Sequence, residues 1–228
     1  MVPPSDGPGS LSVTIGLAGV NVGQPTVIGE RNGEDVSSAI AKRPVATGTT
    51  LWASELGLAG DAQADLTVHG GADKAVYAYP SEHLAVWTDE LGEELGPAPF
   101  GENLSIVGLT EAEAGIGDVW GWGDASLEVC QPRTPCFKLA LYRGRGDIQS
   151  QFRASGRSGW YLRVLTPGEV PVDGPIRVVS RHPAGITIAD VNRAIADRHG
   201  DDVVLLRAVA GHDRLADGWR IPLAQRLG

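Results

Sequence analysis

Two prolines three residues apart set the first constraint on this chain. In the run Gln131-Pro132-Arg133-Thr134-Pro135-Cys136-Phe137-Lys138-Leu139, Pro132 and Pro135 fix φ and remove two ladder donors. The strand-like segment Ser126 to Cys130 must therefore give way to a stiff loop. Cys136 is held at the end of that loop, with Arg133 and Lys138 as neighbouring cations. A free thiol titrates near 8.5, so about 3% is thiolate at pH 7. Nearby positive charge raises that fraction, and the thiolate is the form that attacks electrophiles or ligates soft metals. The plainer reading of Cys136 is a small buried hydrophobe, as most cysteines outside disulfides are.

The same punctuation runs through the whole chain. Its 31 Gly and 15 Pro are about a fifth of 228 residues, a level that signals short strands and many tight turns while staying below the range of disordered low-complexity chains. A mainly β fold is the expectation. The formal charge of −9 opposes attraction to phosphate backbones and anionic membranes, and no run of five or more cations offsets it. Neither nucleic acid nor membrane is expected as a partner. No apolar run approaches 18 residues, and no charged n-region with an apolar h-region begins the chain, so a reducing cytoplasmic location is expected. Cys130 and Cys136 are then reduced thiols, with a disulfide between them as the alternative.

In chain order, residues 1–10 are turn formers with nothing to bury and read as a frayed tail. Leu11 to Val22 reads as a bent strand, and Gly29 to Asp35 as an exposed acidic loop. Ser37-Ser38-Ala39-Ile40-Ala41-Lys42-Arg43 sets two hydroxyls beside two cations, a combination that can hold a phosphate or can simply be solvated. Around Gly70-Gly71, two strand-like runs suggest a hairpin whose bare backbone a ligand could approach, flanked by His69 and Lys74. Pro80 to Leu95 has helical spacing, with Trp87 toward the core. Asn103, after Gly101-Glu102, serves a turn or orients a ligand. In Ser126 to Cys130, Leu127 and Val129 face the core, leaving Cys130 on the other side as a bystander. Asp147 is placed as the N-cap of a helix over Ile148 to Ala154.

After residue 183 the period changes. Thr187 and Asp190 resemble a capping box ahead of Ile188, Val191 and Ile195, and two more helical patterns follow, from Asp202 and from Leu215. The division is thus a tail over 1–10, a β-rich domain over 11–183 and a three-helix module over 184–228. That module could suggest a helix-turn-helix. From Thr187 onward it carries six Asp and six Arg with no Lys or Glu, so it lacks the excess of cations a DNA reader needs. No P-loop, no G-x-G-x-x-G after a strand, no zinc spacing among the five histidines and no G-x-S-x-G elbow is present.

Four runs taken together, Ser38-Ala39-Ile40-Ala41-Lys42, Gly57 to Asp61 leading to Val68-His69-Gly70-Gly71-Ala72-Asp73-Lys74, Phe100-Gly101-Glu102-Asn103-Leu104, and Gln131 to Leu139, resemble the MOSC domain. Their order and spacing are similar to the bacterial YiiM-type branch, which carries a C-terminal three-helix module. The resemblance implies a mainly β fold: a MOSC-type β-barrel with peripheral helices, followed by that module. It implies the molybdenum cofactor (Mo-molybdopterin), with Cys136 as metal ligand and catalytic centre, and no pyridoxal phosphate. It also implies reduction of N-hydroxylated compounds such as 6-N-hydroxylaminopurine, a detoxifying activity. By position, Lys42, Arg43 and Arg133 would hold the cofactor's phosphate and pterin, and His69, Gly70, Gly71 and Asn103 would line the pocket. Electrons would come from a separate flavoprotein or iron–sulfur reductase, since the chain has no flavin motif and too few cysteines for a cluster. The alternative is a cofactor or sulfur carrier with a persulfide on Cys136. Whether the chain forms a homodimer stays open.

Overall fold

A computed structural model describes residues 13–62 and 70–228. The N-terminal tail, the first strand-like run before Gly70, and His69 lie outside the described residues. The strands are β1 (Thr14–Val22), β2 (Thr26–Arg31), β3 (Glu34–Ser38), β4 (Arg43–Pro44), β5 (Thr50–Ser54), β6 (Gly57–Leu58), β7 (Val76–Pro80), β8 (Leu104–Val107), β9 (Val119–Trp122), β10 (Ala125–Pro132), β11 (Trp160–Thr166), β12 (Gly168–Pro171) and β13 (Ile176–Ser180). The helices are α1 (Leu84–Leu91), α2 (Phe137–Arg143), α3 (Ile148–Ser155), α4 (Ile188–Ala196), α5 (Val203–Ala210) and α6 (Asp217–Gln225).

Seven strands run in the order β13-β9-β10-β11-β7-β8-β1, and β1 pairs back with β13 to close a barrel, with β4 outside it on β1. Closure removes the exposed edges that an open sheet of short strands would present. All barrel pairings are antiparallel except β7 with β8. The interior is filled by alternating apolar residues and three tryptophans, of which Trp120 and Trp160 meet edge to face with centroids 5.9 Å apart.

Several local expectations are corrected. Residues 29–35 form the β2–β3 hairpin around Asn32-Gly33 rather than a loop, because Asn32 and Gly33 both take the positive φ a tight turn requires. Gly71 leads into a single 3₁₀ turn, Ala72–Lys74, and β7 then pairs with β11 and β8. β10 runs on through Pro132, which is in register with Trp160; proline lacks only the donor and can end a strand whose carbonyls still pair. Asp147 stands at the N-cap position of α3, but its carboxylate serves Arg145 and Gln151 instead of the helix N–H groups.

A second apolar cluster is separate from the barrel's own core. Tyr77 and Tyr79 of β7, Trp87 of α1, Phe100, Leu139 of α2 and Phe152 of α3 pack there, with Trp87 and Phe152 stacked at 5.8 Å. The three C-terminal helices add to the barrel's own core: Ile188, Val191, Leu206, Val209 and Leu223 belong to one continuous cluster with Ile116, Leu127 and Val129. The change of period near residue 184 therefore marks a change of secondary structure over a shared interior. Among the described residues, no helix is long and apolar enough to cross a membrane.

Candidate functional site

Cys136 follows β10 across Arg133, Thr134 and Pro135 and occupies the N-cap position of α2 with extended backbone, φ −105° and ψ 176°. The loop is pinned from two sides. Arg133 N donates to Gly159 O (3.2 Å), while the side chains of Gln149 and Arg153, both on α3, donate to Pro135 O (3.3 and 3.2 Å). The thiol is partly exposed. It faces a cleft of about 120 Å³ whose wall also contains Lys42, Asn103, Arg133, Lys138 and Tyr161.

Arg133 forms the floor. It is only 7% exposed. Its guanidinium lies over the rings of Tyr77 (5.1 Å) and Phe152 (5.2 Å), with the Tyr161 side chain in the same wall. Its Nη1 is buried with no hydrogen-bond partner among the described residues. A buried, unmatched donor of a charged group costs on the order of 1–3 kcal/mol or more, and Arg133 is also part of the cleft's wall. Burial raises the pKa of both Tyr77 and Tyr161, which keeps their hydroxyls protonated.

Opposite, Lys42 is ion-paired with Asp61, both side chains 8% exposed. Desolvation lowers the Lys42 pKa, and the Asp61 carboxylate opposes that shift. Asp61 also accepts from Gly23 N (2.8 Å) and from Asn103 Nδ2 (2.8 Å). Asn103 in turn accepts from Tyr77 N (3.0 Å) and donates to Asn21 O (3.1 Å). The Asn103 side chain lines the cleft while its amide is committed to joining β1, β7 and the Asp61 loop. Gly101 turns the chain at φ +80°, and a Cβ there would stand 2.6 Å from Ile40 Cγ1. Only glycine lets the Ser38–Lys42 loop approach this closely. Beneath the turn, Glu102 is fully buried and accepts from Phe100 N (3.1 Å) and the Ser105 hydroxyl (3.3 Å); burial raises its pKa to about 7.

Of the residues singled out in the sequence, Lys42, Asn103, Arg133 and Cys136 thus meet in one cleft. Gly70 and Gly71 line an adjoining cavity instead, and His69 is not described. Arg43 is exposed in β4, paired with Val22, and is absent from the wall of either cavity; next to an inward Lys42, its outward side chain follows from strand alternation. Sequence reasoning missed Asp61, Tyr77, Tyr161 and Glu102. The signal for Asp61 was its place in the Gly57 to Asp61 run, and for the tyrosines their position in strands flanking the site. Cys130 is buried, its Sγ 3.2 Å from Asp73 O, and burial pushes its pKa up, so it is inert, as its separation from Cys136 suggests.

Two histidines distant in sequence also meet: His182 and His212 have ring centroids 4.4 Å apart, with Asp213 beside them. Ala184 N and Arg214 N donate to their Nδ1 atoms at 3.3 and 3.2 Å. Those bonds engage the Nδ1 atoms, while His182 Nε2 lies 3.5 Å from Asp213 Oδ1 and His212 Nε2 is buried with no hydrogen-bond partner among the described residues.

The described fold is matched by known proteins. The family model for the MOSC domain covers residues 65–177. The protein YiiM of Escherichia coli strain K12 is 46% identical over 151 residues, which is 65% of this chain and 66% of that protein. A protein of Gibberella moniliformis named "Reductase" is 31% identical over 73% of this chain, and the match spans 30% of its length. The crystal structure of YiiM from Geobacillus stearothermophilus superposes with a TM-score of 0.77 at 32% identity, covering 94% of this chain and 100% of that one.

Proposed function

Because the chain belongs to the MOSC-domain family, alongside the YiiM proteins, we propose that it is a molybdenum-cofactor-dependent reductase of N-hydroxylated compounds. MOSC domains are associated with that cofactor, and the cleft offers donors that suit it. The observation that carries the reading is the pairing of a partly exposed Cys136 thiol with the buried, unmatched Nη1 of Arg133 in one wall. A thiolate is a soft ligand for a thiophilic metal. Arg133, Lys42 and Lys138 would supply positive charge for phosphate and pterin oxygens, with Arg133 as the planar donor. When bound, the cofactor would supply two-electron redox chemistry at its metal.

The chain's own residues would do the rest. Cys136 would hold the metal at the end of a loop pinned by Gln149 and Arg153 of α3. Lys42 stays beside Asp61 and keeps the Ser38–Lys42 loop in place. Tyr161 and Thr134 also line the cleft. The overall change is R–NHOH plus two electrons and two protons giving R–NH₂ and water: the N–O bond breaks and its oxygen leaves as water. The electrons come from a separate reduced flavoprotein or iron–sulfur partner. The reductase name of the fungal relative supports the redox class.

The test is the molybdenum content of full-length protein made in a cofactor-competent host. Wild type is expected to hold about one metal per chain and Cys136→Ala none, as befits loss of a direct ligand. The loaded wild type, given a reduced donor, should then convert an N-hydroxylated base to the amine. No metal in either protein, together with a persulfide on Cys136 by mass spectrometry, would favour the carrier reading instead.

A further inference from the structure

The chain beyond β13 meets the turn between α5 and α6 through His182, His212 and Asp213. His182 Nε2 lies 3.5 Å from Asp213 Oδ1, and His212 Nδ1 lies 3.9 Å from the same oxygen. One ligating atom from each residue can be taken so that all three lie within 4.8 Å of one another. A tetrahedral zinc ion with bonds of about 2.0–2.2 Å holds its donors about 3.3–3.6 Å apart. The trio is therefore near the size of such a site, and its widest pair has to close by roughly 1.5 Å at most. Asp213, whose side chain is 72% exposed, has room to make that movement. None of the three residues lines the Cys136 cleft or the cavity that adjoins it.

Both rings are held in place by the fold. His182 N donates to Asp118 Oδ1 (3.0 Å), His212 N donates to Val209 O (3.2 Å), and Leu215 N donates to His212 O (3.2 Å). Gly117, at φ +81°, passes beside them, and a Cβ there would stand 2.8 Å from His182 Cδ2 and 3.0 Å from Arg214 Cγ. Glycine is what lets the two segments meet. His212 is the buried member, with its side chain 1% exposed and Nε2 unpartnered among the described residues. Because its Nδ1 accepts from Arg214 N, the ring proton belongs on Nε2 and a lone pair on Nδ1, the tautomer that a metal at Nδ1 requires. On His182 the Ala184 amide also selects Nδ1 as acceptor, so Nε2 turns an N–H toward Asp213. A cation would take the place of that proton, which passes to Nδ1 or to solvent. Ala184 and Arg214 are both exposed, so their amides can turn to water instead. The Arg214 guanidinium stands 3.7 Å from the other Asp213 oxygen and 3.7 Å from Glu128; Glu128 can keep it when Asp213 turns to a metal.

We propose that His182, His212 and Asp213 bind a divalent transition cation of the zinc type, with water completing the coordination, and that the ion staples the barrel to the C-terminal helices. Two imidazoles and one carboxylate are donors that zinc accepts readily, whereas magnesium and calcium ask for oxygen alone. His182 belongs to the segment that leaves the barrel, and His212 and Asp213 belong to the turn between two helices. A cation held by all three therefore binds only the folded chain and stabilises it by mass action. No thiol takes part, and the site does not depend on the reductase reading.

Calorimetric titration of the full-length protein with zinc chloride is compared among wild type, His182→Ala, Asp213→Asn, Cys136→Ala and His199→Ala. The first two variants remove ligands whose side chains are 21% and 72% exposed, so the fold is kept. Cys136→Ala removes a competing thiol, and His199→Ala removes an exposed histidine outside the cluster. Wild type, Cys136→Ala and His199→Ala are expected to bind one zinc per chain at this site, with a melting temperature that rises as zinc is added. His182→Ala and Asp213→Asn should bind it at least about 100-fold more weakly, since even outer-shell partners of a metal are worth about 10–100-fold. Their melting temperatures should not respond to zinc. No zinc binding by Cys136→Ala overturns the proposal, and so does binding that either His182→Ala or Asp213→Asn leaves unchanged. Magnesium chloride bound as tightly as zinc would also overturn it, by assigning the affinity to carboxylates alone.

Discussion

Arg133 and Glu102 are two buried charged side chains under one cleft, and their environments push them to different ends. Arg133 is stacked against Tyr77 and Phe152, and its buried Nη1 has no hydrogen-bond partner among the described residues. Lysine cannot reproduce a planar fork or its stacking. Arg133→Lys is therefore expected to keep the fold and to lower cofactor retention by about 10–100-fold, the usual weight of a group that supports a metal site, measured as molybdenum remaining after dialysis. Glu102 is held by two neutral donors, and desolvation raises its pKa from 4.5 to about 7. Between those values the folded protein binds a proton that the unfolded chain has released, so folding stability falls as pH rises across that window. Full ionisation costs about 3 kcal/mol on this basis. Glu102→Gln should accordingly raise the melting temperature at pH 8 and give no gain at pH 4.5; an equal effect at both pH values would contradict the assignment.

At the scale of single elements, the site depends on how α2 and α3 hold one loop and how α4 begins. Thr187 and Asp190 form a complete capping box: the Thr187 hydroxyl accepts from Asp190 N (3.2 Å), and Asp190 Oδ2 accepts from Thr187 N (2.9 Å). This pair was legible in the sequence because a cap depends on residues three apart and on nothing distant. Thr187→Ala should cost about 1 kcal/mol, read as a shift in the denaturant midpoint at constant slope. The turn at Gly71 was not legible in the same way. Two strand-like runs around Gly-Gly suggest a hairpin, but β7 finds its partners in β11 and β8, which are distant in sequence, and local pattern cannot name them.

For the whole molecule, the decisive feature is one interior. Leu206 of α5 is 2% exposed and lies in the same cluster as Leu127 and Val129 of the barrel. Truncating it should destabilise the entire chain, not the C-terminal helices alone. Leu206→Ala is expected to cost about 2–5 kcal/mol and to lower a single calorimetric transition. Two separated transitions, with only one of them moved, would show that the helices fold as an independent unit. The same continuity explains why Glu128 and Cys130, outward-facing by strand alternation, are buried: the α5–α6 turn and the Ala72–Lys74 turn cover that face of β10.

Residue order alone was enough for the fold class and the family of the chain. Glycine and proline spacing limited it to short strands, the Pro-bracketed Cys136 stood out as a candidate reactive group, and four ordered motifs carried the family resemblance. These are local properties, written in neighbouring residues. Barrel closure through β1 and β13 emerged only in three dimensions, as did the meeting of Lys42 with Asp61, the burial of Arg133 against two rings and the meeting of His182 with His212. Each joins residues far apart in the chain, so its free energy exists only once the core has formed.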